Sequence, residues 1–253
     1  MRRTQLDRVN PAIRVLSGIV LSLPLALTVD WVSASVALVF EVLVFLAAGV
    51  GLGTLLRRVL PLLVVAPFGA VSMLLYGAPS GRTWWQWGPV EVSDGSAMLA
   101  LALTLRVFAL AMPAIVLLQG IDATRMADGL AQVLRLPSRF VLGSLAGFRM
   151  LGLFQEDWRQ LGQARRARGL GDAGRLRRWV LMSFSLLVLA LRRGGRLATA
   201  MEAKGFGGAV ERTWARPSRV GWPDAVALLL AVLVGGIAVA AAIHMGTLRT
   251  VFS

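Results

Sequence analysis

The chain has 253 residues, 57% of which are hydrophobic, and a mean hydropathy of +0.70. Because an ordinary soluble domain contains about 45–50% apolar residues, this composition excludes a soluble globular protein and indicates an integral membrane protein. The formal net charge is +14, but the positive residues are interleaved with apolar runs of membrane length, which argues against nucleic-acid binding.

Apolar runs in the first half of the chain predict four membrane spans, at about 13–29, 32–56, 59–77 and 97–119. Prolines inside these runs are tolerated where neighbouring helices or water satisfy the freed backbone groups. A fifth run, at about 223–243, closes the chain. The predicted fold class is therefore an all-α integral membrane protein with about five transmembrane helices. Long amphipathic helices are predicted between the fourth and the fifth transmembrane helix.

The distribution of basic residues predicts the orientation. Arg and Lys cluster before the first span, at 57–58 and after the fourth span, whereas the loops at 30–31 and 78–96 contain only Arg82. The positive-inside rule then places the N-terminus, a turn at 57–58 and the segment 120–222 in the cytoplasm, with the C-terminus outside. We expect a multi-pass protein of the bacterial inner membrane. The outer loop carries three predicted interfacial anchors, Trp84, Trp85 and Trp87.

Most of the charge lies in the segment 120–222, which holds 18 of the 27 Lys and Arg residues but 7 of the 13 Asp and Glu residues. Such charge attracts the anionic headgroups of the lipid bilayer. A short amphipathic helix is predicted at 123–135, followed by two longer helices, at 140–168 and 179–204, that each begin apolar and end basic. The predicted regions are 1–119 (transmembrane helices 1–4), 120–222 (basic segment with helices entering the membrane interface) and 223–253 (final transmembrane helix and outer tail).

Each long helix ends in a small residue, a cation and a glycine, at 167–169 and 203–205. These two tripeptides are called the first and the second tag. Glycine just past a helix adopts the left-handed conformation without a Cβ penalty, and a cation there gains about 0.3–1 kcal/mol from the helix dipole. Helix capping therefore explains both tags without any partner. The second interpretation is docking, because an arginine fork binds a carboxylate bidentately and two such ends could engage two partner domains at once.

Residues 163–169 and 200–206 are similar to the paired coupling-helix motifs of the T component of energy-coupling factor (ECF) transporters. The resemblance covers about 120–215, whereas the first four spans match only in hydrophobic character. Supporting motifs occur in the family's order at 124–130, 136–137, 147–150 and 191–193.

The resemblance implies an all-helical subunit that binds two ABC ATPase subunits, identical or different, and one small substrate-binding membrane subunit, the S subunit. In that family the arginine of each motif inserts into a groove on one ATPase, which corresponds here to Arg168 and Lys204. Lys204 departs from the pattern, since lysine lacks the planar fork, and it is the only lysine in the chain. The implied docking residues are Ala167, Arg168, Gly169, Ala203, Lys204 and Gly205, supported by Arg165, Arg166 and Glu202.

The chain lacks the GxxxxGK[ST] phosphate-binding loop and all cysteine, and His244 is its only histidine. We therefore expect a non-catalytic subunit with no cofactor or metal of its own, with ATP and Mg bound by the partner ATPases. The expected function is to transmit ATP-driven motion to the S subunit for uptake of a vitamin or metal, and the S subunit selects which one.

Two alternative functions are a self-sufficient permease and a membrane enzyme acting on phospholipid. The scarcity of polar residues in the spans argues against the first, and the lack of an aspartate-rich metal motif argues against the second.

The sequence also predicts roles or partners for some charged residues outside the tags. Glu41 and Arg106 lie within predicted spans, where an ionisable residue is a functional hypothesis by default, although Arg106 could snorkel to the interface. Adjacent residues on a helix point about 100° apart, so Glu156 and Asp157 do not share a face. We expect both to be solvated or to pair with Arg159.

Overall fold

The computed structural model describes residues 5–28, 30–77, 80–87, 90–169, 174–208 and 213–247. The chain forms two compact units. The membrane unit consists of Met1–Gly129 and Ser218–Ser253. The other unit, Leu130–Pro217, is called the α6–α7 unit after its two long helices, α6 (Ser138–Ala167) and α7 (Arg175–Ala203).

Apolar helices make up most of the membrane unit. Among the described residues, three helices are long and apolar enough to cross a membrane: α3 (Leu52–Tyr76), α4 (Asp94–Leu118) and α8 (Trp222–His244). Two further apolar helices have 17 residues each: α1 (Pro11–Leu27) and α2 (Trp31–Ala47). The predicted all-α membrane fold is confirmed. The membrane unit also contains most of the short helix α5 (Ala123–Gln132), whose last three residues belong to the other unit.

The turn between α2 and α3 does not lie at 57–58, so that prediction is wrong. The segment between the two helices lies at 48–51, where Gly49 has φ +84° and Gly51 forms the N-cap of α3. Glycine reaches this left-handed conformation without a Cβ penalty, whereas Leu and Arg favour helix. The basic pair therefore lies inside the second turn of α3 instead of ending α2.

A β-hairpin occupies the loop before α4, where the sequence prediction assigned no strand. It pairs β1 (Thr83–Trp87) with β2 (Val90–Ser93) in antiparallel register, with Trp85 opposite Val92. Its aromatic and β-branched residues are typical of strands. Trp84 and Trp85 are exposed, as interfacial anchors would be, while the side chain of Trp87 lies outside the described residues.

Small residues at the helix contacts allow close packing within the membrane unit. Leu25, Ala37, Ala109 and Ala238 form one buried cluster from α1, α2, α4 and α8. A Cβ added at Gly235 of α8 would lie 2.9 Å from Pro24 Cγ of α1. Close contact through small residues is the usual source of helix association in membranes, where there is no hydrophobic driving force between helices.

Asn10, the N-cap of α1, joins the starts of α1 and α8. Its backbone N–H donates to Asp224 Oδ1 over 2.6 Å, and its side-chain amide donates to Ser218 Oγ over 2.8 Å. A Cβ added at Gly129 would lie 2.8 Å from Asn10 Oδ1 and 2.9 Å from Ala12 Cβ. The points where the chain leaves the membrane unit and returns to it therefore both lie against Asn10.

Glu41 and Arg106, two of the charged residues in the predicted spans, differ in their environment. Arg106 donates from Nη2 to Ala26 O over 2.6 Å, and so satisfies a carbonyl in the last turn of α1 that has no partner within its helix. The side chain of Glu41 is buried, and within the described part of the chain neither carboxylate oxygen has a hydrogen-bond partner. A functional role for Glu41 stays a prediction.

Candidate functional site

Two long helices carry the predicted tags. They are α6 (Ser138–Ala167) and α7 (Arg175–Ala203), of 30 and 29 residues. α6 begins directly after Pro137, which disfavours helix in the residue before it. Its apolar first half continues into the basic second half without a break, as the sequence predicts.

The first tag is the C-terminus of α6. Arg168 is the C-cap, and Gly169 follows with φ +70°. The backbone N–H of Gly169 donates to Arg166 O over 3.0 Å. Ala167, Arg168 and Gly169 are all exposed.

The second tag ends α7 in the same way. Lys204 is the C-cap and Gly205 has φ +78°. Gly205 N–H donates to Glu202 O over 2.8 Å, and Phe206 N–H donates to Met201 O over 2.9 Å. This pair of bonds defines the Schellman motif, which satisfies carbonyls that the end of a helix leaves open. The predicted helix-ending role of both glycines is confirmed.

The tags leave their cations accessible. Ala203, Lys204 and Gly205 are exposed like their counterparts on α6, as are Arg166 and Glu202. Arg165 is half-buried, and its Nε has no hydrogen-bond partner among the described residues. The two positive ends can therefore receive an acidic partner group, with helix-end carbonyls nearby that further favour the cation.

α6 and α7 are joined by an ion pair that the sequence did not predict. Arg193 donates to Asp157 through both terminal nitrogens, with Nη1–Oδ2 and Nη2–Oδ1 distances of 2.6 and 3.2 Å. The pairing of Asp157 with Arg159 is thus wrong, while Glu156 does contact Arg159, with an Nη1–Oε2 distance of 3.8 Å. One feature of the sequence could have indicated the Asp157–Arg193 pair. The two residues are 36 positions apart, which is also the interval between Arg168 and Lys204.

Aromatic and small residues complete the contact between the two helices. The rings of Trp158 and Trp179 lie with centroids 5.0 Å apart and planes inclined by 50°. A Cβ on Gly162 would lie 3.6 Å from Met182 Cε, an ordinary van der Waals distance, so Met182 of α7 packs against α6 at this point. A hydrogen bond also connects the start of α6 to the backbone just after the second tag. Arg139 Nη2 donates to Gly207 O over 2.6 Å.

Both helices expose large apolar side chains. Phe140, Phe148 and Leu151 are at least half exposed on α6, as are Trp179, Phe184 and Leu191 on α7. Exposed apolar patches of this kind mark contact with a membrane or with another protein. The α6–α7 unit therefore combines a basic end with an apolar surface.

Comparison with known families gives this arrangement a context. Residues 2–214 match the model of the family described as CbiQ, cobalt transport protein. The chain belongs to the CbiQ family. The match includes the first four spans, for which the residues themselves gave only a general likeness.

Curated relatives carry the name "Energy-coupling factor transporter transmembrane protein EcfT". The protein of Limosilactobacillus fermentum is 26% identical over 186 residues, covering 69% of each chain. The protein of Brevibacillus brevis is 23% identical over 241 residues, covering 90% of each. That of Exiguobacterium sibiricum is 27% identical over 192 residues, covering 71% of this chain and 73% of the relative. The resemblance to ECF T components is confirmed.

Proposed function

We propose that this chain is the transmembrane coupling subunit of an ECF-type importer. It docks two ABC ATPase subunits through the two tags and passes their ATP-driven motion to a separate S subunit. The observation that carries the proposal is the presence of two helix ends of the same construction, each with an exposed cation at the C-cap, on helices that contact each other.

The chemistry of the two ends suits two acidic grooves. Arg168 can make a bidentate contact with a carboxylate, and Lys204 supplies the same charge as a more compact group. Ala167 and Ala203 are small, which lets a partner backbone come close to each cation. The lysine end is expected to bind its ATPase with a less directional contact, so the two docking sites are not equivalent.

Orientation follows from the same requirement. ATP is available on the cytoplasmic side of the bacterial inner membrane, and the positive-inside rule places the N-terminus and the basic segment on that side. The C-terminus then lies outside. The chain itself carries no ATP-binding loop, so ATP and Mg belong to the ATPase partners, and the S subunit selects a vitamin or metal.

The test is co-purification of the chain with a candidate ABC ATPase pair. Removing one partner of a desolvated charge pair costs about 2–5 kcal/mol, so Arg168→Ala should reduce the recovered ATPase more than tenfold, and Lys204→Ala should reduce it by less. Arg196→Ala is the matched control, because it removes an exposed arginine of α7 two turns before the tag.

Full recovery of both ATPases with the double variant would overturn the docking role. Uptake by the chain alone would then favour the permease, and turnover of a phospholipid would favour the membrane enzyme.

A further inference from the structure

Two neighbouring residues of α6 hold α7 at two separate points. Asp157 binds Arg193, while Trp158 packs against Trp179. The two α7 residues are 14 positions apart, which is about 21 Å along a helix that rises 1.5 Å per residue. Met182, close to Gly162, lies between these points.

Two separated contacts restrict the relative direction of two helices in a way that one contact does not. A ring pair alone leaves α7 free to swing about Trp158, because aromatic contacts tolerate a range of inclinations. The bidentate Asp157–Arg193 pair adds a second, directional contact. Only 13% of the Asp157 side chain and 38% of the Arg193 side chain are exposed, so solvent competes with this pair less than with a fully exposed one.

The ion pair also lies at matching distances from the tags. Asp157 precedes Arg168 by 11 residues, and Arg193 precedes Lys204 by 11 residues. Each interval is continuous helix as far as the C-cap and measures about 16 Å. A change in the angle between α6 and α7 therefore changes the separation of the two tags, and a fixed angle fixes that separation.

We propose that Asp157 and Arg193 are positioning residues that set the separation of the two docking tags. The proposal deepens the coupling function and rests on it for its purpose. Movement of one tagged end is carried to the other helix through this pair, whereas without it the aromatic contact at Trp158 allows a wider range of angles between the two helices.

The adjacent acidic residue provides a matched control. Glu156 contacts Arg159 within α6, with both side chains more than half exposed, so Glu156→Gln removes one carboxylate without touching α7. Asp157→Asn removes the same charge one residue later and weakens the contact between the helices. Any effect of net charge is common to both variants.

The chain contains no cysteine, so spin labels can be attached at introduced cysteines without first removing native ones. Cysteines replace Gln163 and Thr199, which are exposed and each lie six residues beyond the ion pair toward a tag. The distance distribution between the two labels is measured by pulsed electron paramagnetic resonance on the full chain in lipid nanodiscs. The unsubstituted background should give one narrow distribution.

Asp157→Asn and Arg193→Gln should each broaden this distribution about twofold, because one of the two contacts that fix the angle is lost. Arg193→Lys should give an intermediate width, since it keeps the charge but not the fork. The charge exchange Asp157→Arg with Arg193→Asp should restore the narrow distribution, which a variant that merely misfolds would not do. Glu156→Gln should leave the width unchanged.

An unchanged width in Asp157→Asn, or equal broadening in Glu156→Gln, would overturn the positioning role. This measurement needs no ATPase, so its result is independent of the docking test. Broadening in Asp157→Asn together with full ATPase recovery in Arg168→Ala and Lys204→Ala would show that the pair sets the helix angle while the docking assignment is wrong.

Discussion

The membrane unit and the α6–α7 unit are stabilised in different ways. In the membrane unit, side chains such as Leu25 and Val116 are almost completely buried, and the buried Asn10 hydrogen-bonds to Asp224 and Ser218. Among the described residues of the α6–α7 unit, the buried hydrophobic side chains are Val141 and Met182. The first unit thus has a core of its own, whereas the second depends on a few directional contacts and on whatever covers its exposed apolar surface.

The same substitution in the two units should have opposite effects, which is the strongest test of this difference. Gly129→Ala places a Cβ 2.8 Å from Asn10 Oδ1 and 2.9 Å from Ala12 Cβ, so it should destabilise the chain by about 1–3 kcal/mol. At Gly143 of α6, a Cβ meets nothing within 4 Å. Gly143→Ala should therefore be neutral or stabilise by up to about 1 kcal/mol through helix propensity.

Both free energies of unfolding can be measured by SDS titration in mixed micelles. If Gly143→Ala destabilised as much as Gly129→Ala, the α6–α7 unit would be as tightly packed as the membrane unit, and the comparison would fail.

Removing the buried cap at Asn10 should have the next largest effect. Asn10→Ala deletes the acceptor for Ala12 N–H and the donor to Ser218, so a loss of about 1–2 kcal/mol is expected. Asp122 provides an exposed counterpart, because its Oδ1 accepts from Thr124 N–H and Arg125 N–H at the start of α5. Asp122→Ala should cost about 0.5–1 kcal/mol in the same titration. Equal losses would mean that burial adds nothing to the asparagine cap.

The smallest expected effect is on the exposed second tag. Lys204→Arg restores the planar fork without altering any buried contact, so the stability of the chain should not change. ATPase association should strengthen about threefold, equivalent to about 0.7 kcal/mol. Retention of the ATPase pair through a graded salt wash measures this. A weaker complex would show that the lysine site is shaped for an ammonium group.

Local sequence signals predicted most helices but not the contacts between distant residues. The continuous α6 was predictable because its apolar and basic halves keep one helical spacing without a break. The turn at Gly49 was misplaced because glycine inside an apolar run does not interrupt its hydropathy, so the basic pair at 57–58 looked like the boundary. The hairpin was missed since its tryptophans were assigned to the membrane interface alone.

Of the candidate site, the two glycine endings could be predicted because helix termination depends on neighbouring residues. The partner of Asp157 could not, because along one helix Arg159 is as plausible a partner as the distant Arg193. Distance in sequence carries no information about which residues two crossing helices bring together. The shared interval of 36 positions becomes informative only when both helices are treated as copies of one design.

The contacts of Asn10 also have a consequence for how the chain could be re-engineered. Gly129 and Ser218 both lie within reach of this one side chain, although 88 residues separate them in sequence. Insertions into a parent domain are tolerated where their two ends lie close together. The α6–α7 unit is thus an insertion whose two ends lie close together. A short linker that joins Gly129 to Ser218 should therefore replace this unit and leave the membrane unit continuous. Exchange of the α6–α7 unit between relatives would transfer both tags, and the spacing between them, in a single step.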